Sequence, residues 1–212
     1  MLRRVFQTAL LAGALAGLAA TLAQWFGATP LIRAAEVFEH AAEPGAATGP
    51  WDDPSRAGLT LAMNLVVGVG FGLVLGGAFA LARRPIDARA GALWGAAGFL
   101  AFALLPALGL PPELPGVPAA ALGARQLWWL LTVAASLAGL AAVVLGRKPF
   151  WLAAGGALLL LPHLVGAPAA PGEASAVPAE LAARFAVASL ATSLLFWLVL
   201  GAASGALYRR GP

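Results

Sequence analysis

The sequence predicts an all-α integral membrane protein: a six-transmembrane-helix bundle with both termini cytoplasmic and an amphipathic outer segment after the first span. Three observations lead there. Of 212 residues, 61% are hydrophobic and only 10% are charged, with a mean hydropathy of +0.87. Soluble domains carry roughly 25% charged residues, so a water-facing surface could hardly be assembled from this supply. Apolar runs long enough to cross a bilayer recur along the chain. The charges between those runs alternate in sign from loop to loop.

The first run is 5–26, preceded by Arg3 and Arg4. Its 22 residues exceed the roughly 7–15-residue apolar core of a signal peptide, and more such runs follow, so it reads as an uncleaved span. Further spans are predicted at 58–82, 91–108, 127–146, 150–165 and 181–207, all within a single membrane domain, 1–212. The fifth is the shortest, bounded by Pro149 and by Gly166-Ala167-Pro168. Residues 27–57 form the longest outer loop. Within it, 30–43 has the pattern of an amphipathic helix, with Pro30 suited to a first helical turn. The stretch beyond Pro44 is irregular.

The loops set the orientation. Arg3, Arg4, Arg83, Arg84, Arg89, Arg147, Lys148, Arg209 and Arg210, nine of the 13 basic residues, fall on one side of a six-span chain. That side is cytoplasmic by the positive-inside rule. Eight of the nine acids fall on the other: Glu36, Glu39, Glu43, Asp52, Asp53, Glu113, Glu173 and Glu180. Trp25, Trp128 and Trp129 lie at outer helix ends and Trp151 and Tyr208 at inner ends, as interfacial belts do. Glycine pairs at every fourth position (Gly13/Gly17, Gly68/Gly72/Gly76, Gly91/Gly95, Gly201/Gly205) predict close helix packing.

Composition excludes several functions. No cysteine is present, which removes disulfides, iron–sulfur clusters and thiolate metal sites. Basic residues come in scattered pairs, so no nucleic-acid surface is expected. No phosphate-binding glycine loop, nucleophile elbow or H-E-x-x-H occurs, so no enzyme is expected.

The chemistry-bearing residues gather on the outer side. Glu36, Glu39, His40 and Glu43 stand at i, i+3, i+4 and i+7, one face of a helix. Carboxylates and an imidazole so placed form either a divalent-cation site or a solvated polar face, with Arg33 as a salt-bridge partner. His163 lies near the outer end of the fifth span, where a histidine is either a ligand or a backbone-bonded end residue. Glu113 sits in a loop stiffened by Pro111, Pro112, Pro115 and Pro118, with Arg125, Gln126, Trp128 and Trp129 following. An acid–arginine pair there would lock or gate the loop. Glu180 opens the sixth helix, favourable to its dipole, with Arg184 as an i+4 partner. The deeper polar residues are Asn64, Thr132, Ser136, Ser189, Thr192 and Ser193, a thin supply for moving a bare divalent ion.

The segment 112–129, Pro-Glu-Leu-Pro-Gly-Val-Pro through Arg-Gln-Leu-Trp-Trp, resembles the predicted cobalt transporter subunit family CbtA. So do Leu-Pro-His-Leu-Val-Gly-Ala-Pro (161–168), Val-Pro-Ala-Glu-Leu-Ala-Ala-Arg-Phe (177–185), Ala-Glu-Val-Phe-Glu (35–39) and the closing Tyr-Arg-Arg. The resemblance implies a multi-pass protein of the bacterial inner membrane. It would take up cobalt for cobalamin synthesis beside a small single-span companion subunit. Cobalt would be the transported substrate, with no permanently bound cofactor. The carried-over site positions are Glu113, Arg125, Gln126, His163 and Glu180, with Glu36 and Glu39 next. Members often have a histidine-rich first outer loop, whereas 41–57 here has no histidine. A competing reading is a non-transporting scaffold or assembly partner of another transporter.

Overall fold

The computed structural model describes residues 2–42, 54–82, 85–146, 148–170, 172 and 175–210. Among them every regular element is helical. The elements are α1 (Leu2–Phe26), α2 (Ala28–Ala42), α3 (Pro54–Ala82), α4 (Ala88–Ala107), α5 (Leu122–Leu145), α6 (Pro149–Val165) and α7 (Ala179–Arg210). Five of these, α1, α3, α4, α5 and α7, are long and apolar enough to cross a membrane. The remaining apolar run, the fifth in chain order, is the 17-residue α6. At 1.5 Å per residue it reaches about 25 Å, short of a hydrocarbon core about 30 Å thick. Each apolar run of the sequence coincides with one of these helices.

Glycine spacing decides how the helices meet. The α1–α3 seam is antiparallel and sets Gly13 against Gly68, Gly17 against Asn64, and Ala9 against Gly72. In the α4–α7 seam, Gly91 and Gly95 face Gly201, Gly205 and the Trp197 carbonyl. A Cβ at any of these four glycines would strike main chain of the facing helix, so only glycine permits the approach. One such crossing joins α5 to α6, at Gly139 and Gly155.

The helix α1 also packs along α7, joining the two seams into one block. Its core holds Leu75, Phe79, Phe99, Phe196, Trp197 and Leu200, with Phe71 and Phe102 packed against them. The rings stack and meet edge to face, as Phe102 on Trp197 at 5.4 Å and Phe71 on Phe102 at 5.1 Å show. In contrast, α6 packs mainly on α5, and α5 reaches the block through the last turns of α4.

Those turns are unusual. Leu100–Leu104 form a π-helical turn, closed by the Leu105 N–H donating to the Leu100 carbonyl. Pro106 follows and has no N–H to give. Widening the helix just before a proline relieves the clash of its ring with the carbonyl one turn back.

Both chain ends come to one end of the bundle, where the Arg4 guanidinium lies 4.4 Å over the Tyr208 ring. Antiparallel pairing puts Arg3, Arg4, Arg89, Lys148 and Arg209 at that end. Arg83, Arg84 and Arg147 lie outside the described residues. At the opposite end, Ala35 of α2, Leu114 of the α4–α5 loop and Val177 before α7 form a second small core. Ile32, Phe38, Val117, Leu181 and Phe185 pack around it. The segment expected to be amphipathic thus spends its apolar face on protein.

Candidate functional site

The end of the bundle away from Arg4 and Tyr208 collects the α4–α5 loop, α2, and the starts of α5 and α7. Its most defined polar contact joins Arg125 to Glu113, with the guanidinium donating to Glu113 Oε2 at 2.6 Å. Both side chains are about a quarter exposed, at 30% and 24%. Four prolines hold the loop stiff, and Leu114, 3% exposed, pins it to the small core. The expected acid–arginine pair therefore exists and ties the loop to the first turn of α5.

This pair stands at the mouth of a cleft of about 660 Å³ between α4, α5 and α7. The π turn contributes Phe102 and Ala103, and Pro106 and Ala107 follow them. From α5 come Leu122, Arg125, Gln126, Trp129 and Leu130, one stripe of that helix. Leu190 and Ser193 of α7 close the far side.

Trp128 points elsewhere. At 8% exposure it is buried, and its ring packs over Gly109 and meets the His163 ring edge to face at 6.0 Å. This corrects its placement in an interfacial belt: the indole is held between α4, α5 and α6. Trp25, at the end of α1, is 56% exposed. Trp128 Nε1 and His163 Nε2 are both buried without a hydrogen-bond partner among the described residues.

The remaining candidates are dispersed. Glu36 lies 3.8 Å from Arg56 of α3, an ion pair joining α2 to the next helix. The α2 backbone runs helical through Glu39 and His40, so positions 36, 39 and 40 share a face by register. The side chains of Glu39 and His40, and all of Glu43, lie outside the described residues. Glu180 and Arg184 are exposed and form no ion pair with each other. Among the described residues no three of His, Asp or Glu are grouped closely enough to hold a metal ion. His163, Glu113 and Glu180 therefore do not converge, because they belong to three separate segments with different neighbours.

Two polar features are missed by sequence reasoning. Asn64 donates from Nδ2 to Thr21 Oγ1 at 2.9 Å and to Gln24 Oε1 at 2.7 Å, bridging α3 to α1. Ser204 is fully buried beside the α4–α7 seam with its hydroxyl unpartnered among the described residues. The bridge is half legible, since Asn64 stands out in an apolar run, but its partners lie some 40 positions away. Ser204 carries no such signal: in the sequence it is one more small residue among the glycines and alanines of α7.

The fold and its charges define an all-helical chain of several apolar helices, with most of its described acids and His163 gathered at one end. A family model described as "Probable cobalt transporter subunit (CbtA)" matches residues 2–209, and the chain belongs to that family. No curated protein and no solved structure matches it.

Proposed function

We propose that the chain is a subunit of a divalent-cation uptake system with cobalt as its cargo, crossing the bacterial inner membrane six times with both termini cytoplasmic. Membership of the cobalt transporter subunit family carries this reading. Orientation is supported by the arginines and Lys148 at the end where Arg4 meets Tyr208. The sixth crossing is assigned to α6, whose shortness is met by local thinning of the bilayer.

Capture occurs at the outer face. The α2 face with Glu36, Glu39 and His40 is the first ligand set, with Glu43 beyond it, because imidazole and carboxylate together suit cobalt; Glu36 joins it when its pair with Arg56 opens. His163, Glu113 and Glu180 are secondary positions. Glu113 is already engaged by Arg125, so it takes a cation only when that pair opens. The word subunit in the family's name supports a companion, proposed as a small single-span protein. The cobalt acquired would serve cobalamin synthesis.

The test is cobalt accumulation by cells expressing the chain with and without the companion. Glu39→Gln with His40→Ala is expected to abolish most uptake, and His163→Ala with Glu113→Ala to reduce it. Unchanged uptake in the first pair overturns the α2 ligand set. Unchanged uptake on deleting the chain overturns the transport role.

A further inference from the structure

We propose that the cleft between α4, α5 and α7 is a binding site for one zwitterionic phospholipid of the phosphatidylethanolamine class. Its headgroup sits on the Glu113–Arg125 pair, and one acyl chain runs inward to Phe102 and Ser193. This inference does not rest on the cation reading; that the leaflet is the outer one rests on the orientation proposed above.

The polarity of the cleft changes along its length. Glu113, Arg125 and Gln126 stand at the outer mouth. One turn deeper, about 5.4 Å on, α5 presents Trp129 and Leu130, opposite Leu190 and the π-turn Phe102. A headgroup-outward, chain-inward molecule matches that gradient, and it is the arrangement of a lipid in the outer leaflet.

The cleft is open rather than enclosed, and it lies between two helices that pack on α4 rather than on each other: the block holds α7, while α5 joins the block through α4. Its about 660 Å³ is far larger than a metal ion requires. Water, at about 30 Å³ per molecule in the liquid, would gain few hydrogen bonds from walls this apolar.

Charge selects the headgroup. Glu113 and Arg125 place one negative and one positive group 2.6 Å apart. A headgroup with phosphate and ammonium side by side complements both, the phosphate on the guanidinium and the ammonium on the carboxylate. A purely anionic headgroup would meet Glu113 unfavourably. Glu113 takes only the Arg125 Nη2 donor, which leaves the other terminal nitrogen, Nη1, for the phosphate.

The test uses the full chain in nanodiscs of equal parts phosphatidylethanolamine and phosphatidylglycerol, then intact-complex mass spectrometry after mild detergent extraction. One phosphatidylethanolamine per chain is expected, enriched over the bulk ratio. Glu113→Gln with Arg125→Gln removes the headgroup site and is expected to cut retention about tenfold, the loss for a charge-assisted hydrogen bond. Ser193→Trp fills the inner end and is expected to do the same. Leu152→Trp, on the exposed face of α6, should change nothing. A photo-crosslinking residue in place of Leu190 should capture lipid. Absence of enrichment, phosphatidylglycerol in place of phosphatidylethanolamine, equal retention by the filled variant, or capture of a polypeptide at position 190 would each overturn the proposal.

Discussion

In the block of α1, α3, α4 and α7, glycines at every fourth position bring main chains into contact along two seams. In the α5–α6 hairpin one crossing, Gly139 on Gly155, does so, and the join to the block is made by side chains on a π turn. Lipid is as apolar as leucine, so helices in a bilayer gain little by merely hiding hydrophobic surface. Close backbone approach is what holds the block. The hairpin lacks it on its inner side, and there the cleft opens. Stability and a ligand-sized space thus belong to different parts of one bundle.

The largest effect should come from breaking a seam. Gly95→Val puts a side chain into the Trp197 carbonyl, with main chain on both sides and nothing free to yield. A loss of about 3 kcal/mol is expected, read as a lower unfolding temperature and poor recovery in detergent. The control is Gly70→Ala, which meets nothing within 4 Å and should be neutral or stabilising by up to about 1 kcal/mol. Equal damage from both would remove the distinction between seam and face.

Within the hairpin the same kind of change should cost less. A Cβ at Gly139 would lie 2.9 Å from both the Gly155 carbonyl and Leu159 Cγ, the latter able to turn aside. Gly139→Ala is expected to cost about 1–2 kcal/mol in thermal unfolding. A cost above that of Gly95→Val would make the hairpin the tighter region.

A smaller loss is expected from Asn64→Leu, which removes both bonds from α3 to Thr21 and Gln24 of α1. Side-chain bonds between membrane helices average about 0.6 kcal/mol, so about 1 kcal/mol in total should appear in denaturant unfolding.

The smallest concerns Asp87, the N-cap of α4. Its carboxylate accepts the Ala90 N–H at 2.8 Å, and chiefly that bond holds its pKa below the usual carboxylate value. A lowered pKa means the cap's contribution is complete above the ordinary value and lost as pH falls through the lowered one. Asp87→Asn should therefore flatten the acid limb of the stability profile slightly, and Asp87→Ala should fray the first turn of α4 at any pH, seen as faster amide exchange.

The bundle was legible because apolar runs, prolines and paired arginines act locally. The Glu113–Arg125 pair was readable for the same reason, since a proline-stiffened loop of 12 positions leaves the two few ways to miss each other. Trp128 shows the limit. Its position at a helix end fits a belt, yet Gly109 leaves a hollow and α6 covers it, and neither is a property of the tryptophan's own segment. The π turn is similar: the apolar run 91–108 was read straight through Pro106, and nothing in it marks a widened turn.

The sequence by itself determined the helices, their apolar lengths and the segregation of charge along the chain, because hydrophobic length, glycine spacing and loop charge are properties of short stretches. Only the tertiary structure decided that the apolar face of α2 is spent on Leu114 and Val177, that His163 meets Trp128 rather than Glu113, and that a cleft separates α5 from α7. Those outcomes depend on which backbones come close enough to exclude everything else, and that is settled by the facing surfaces of two helices together.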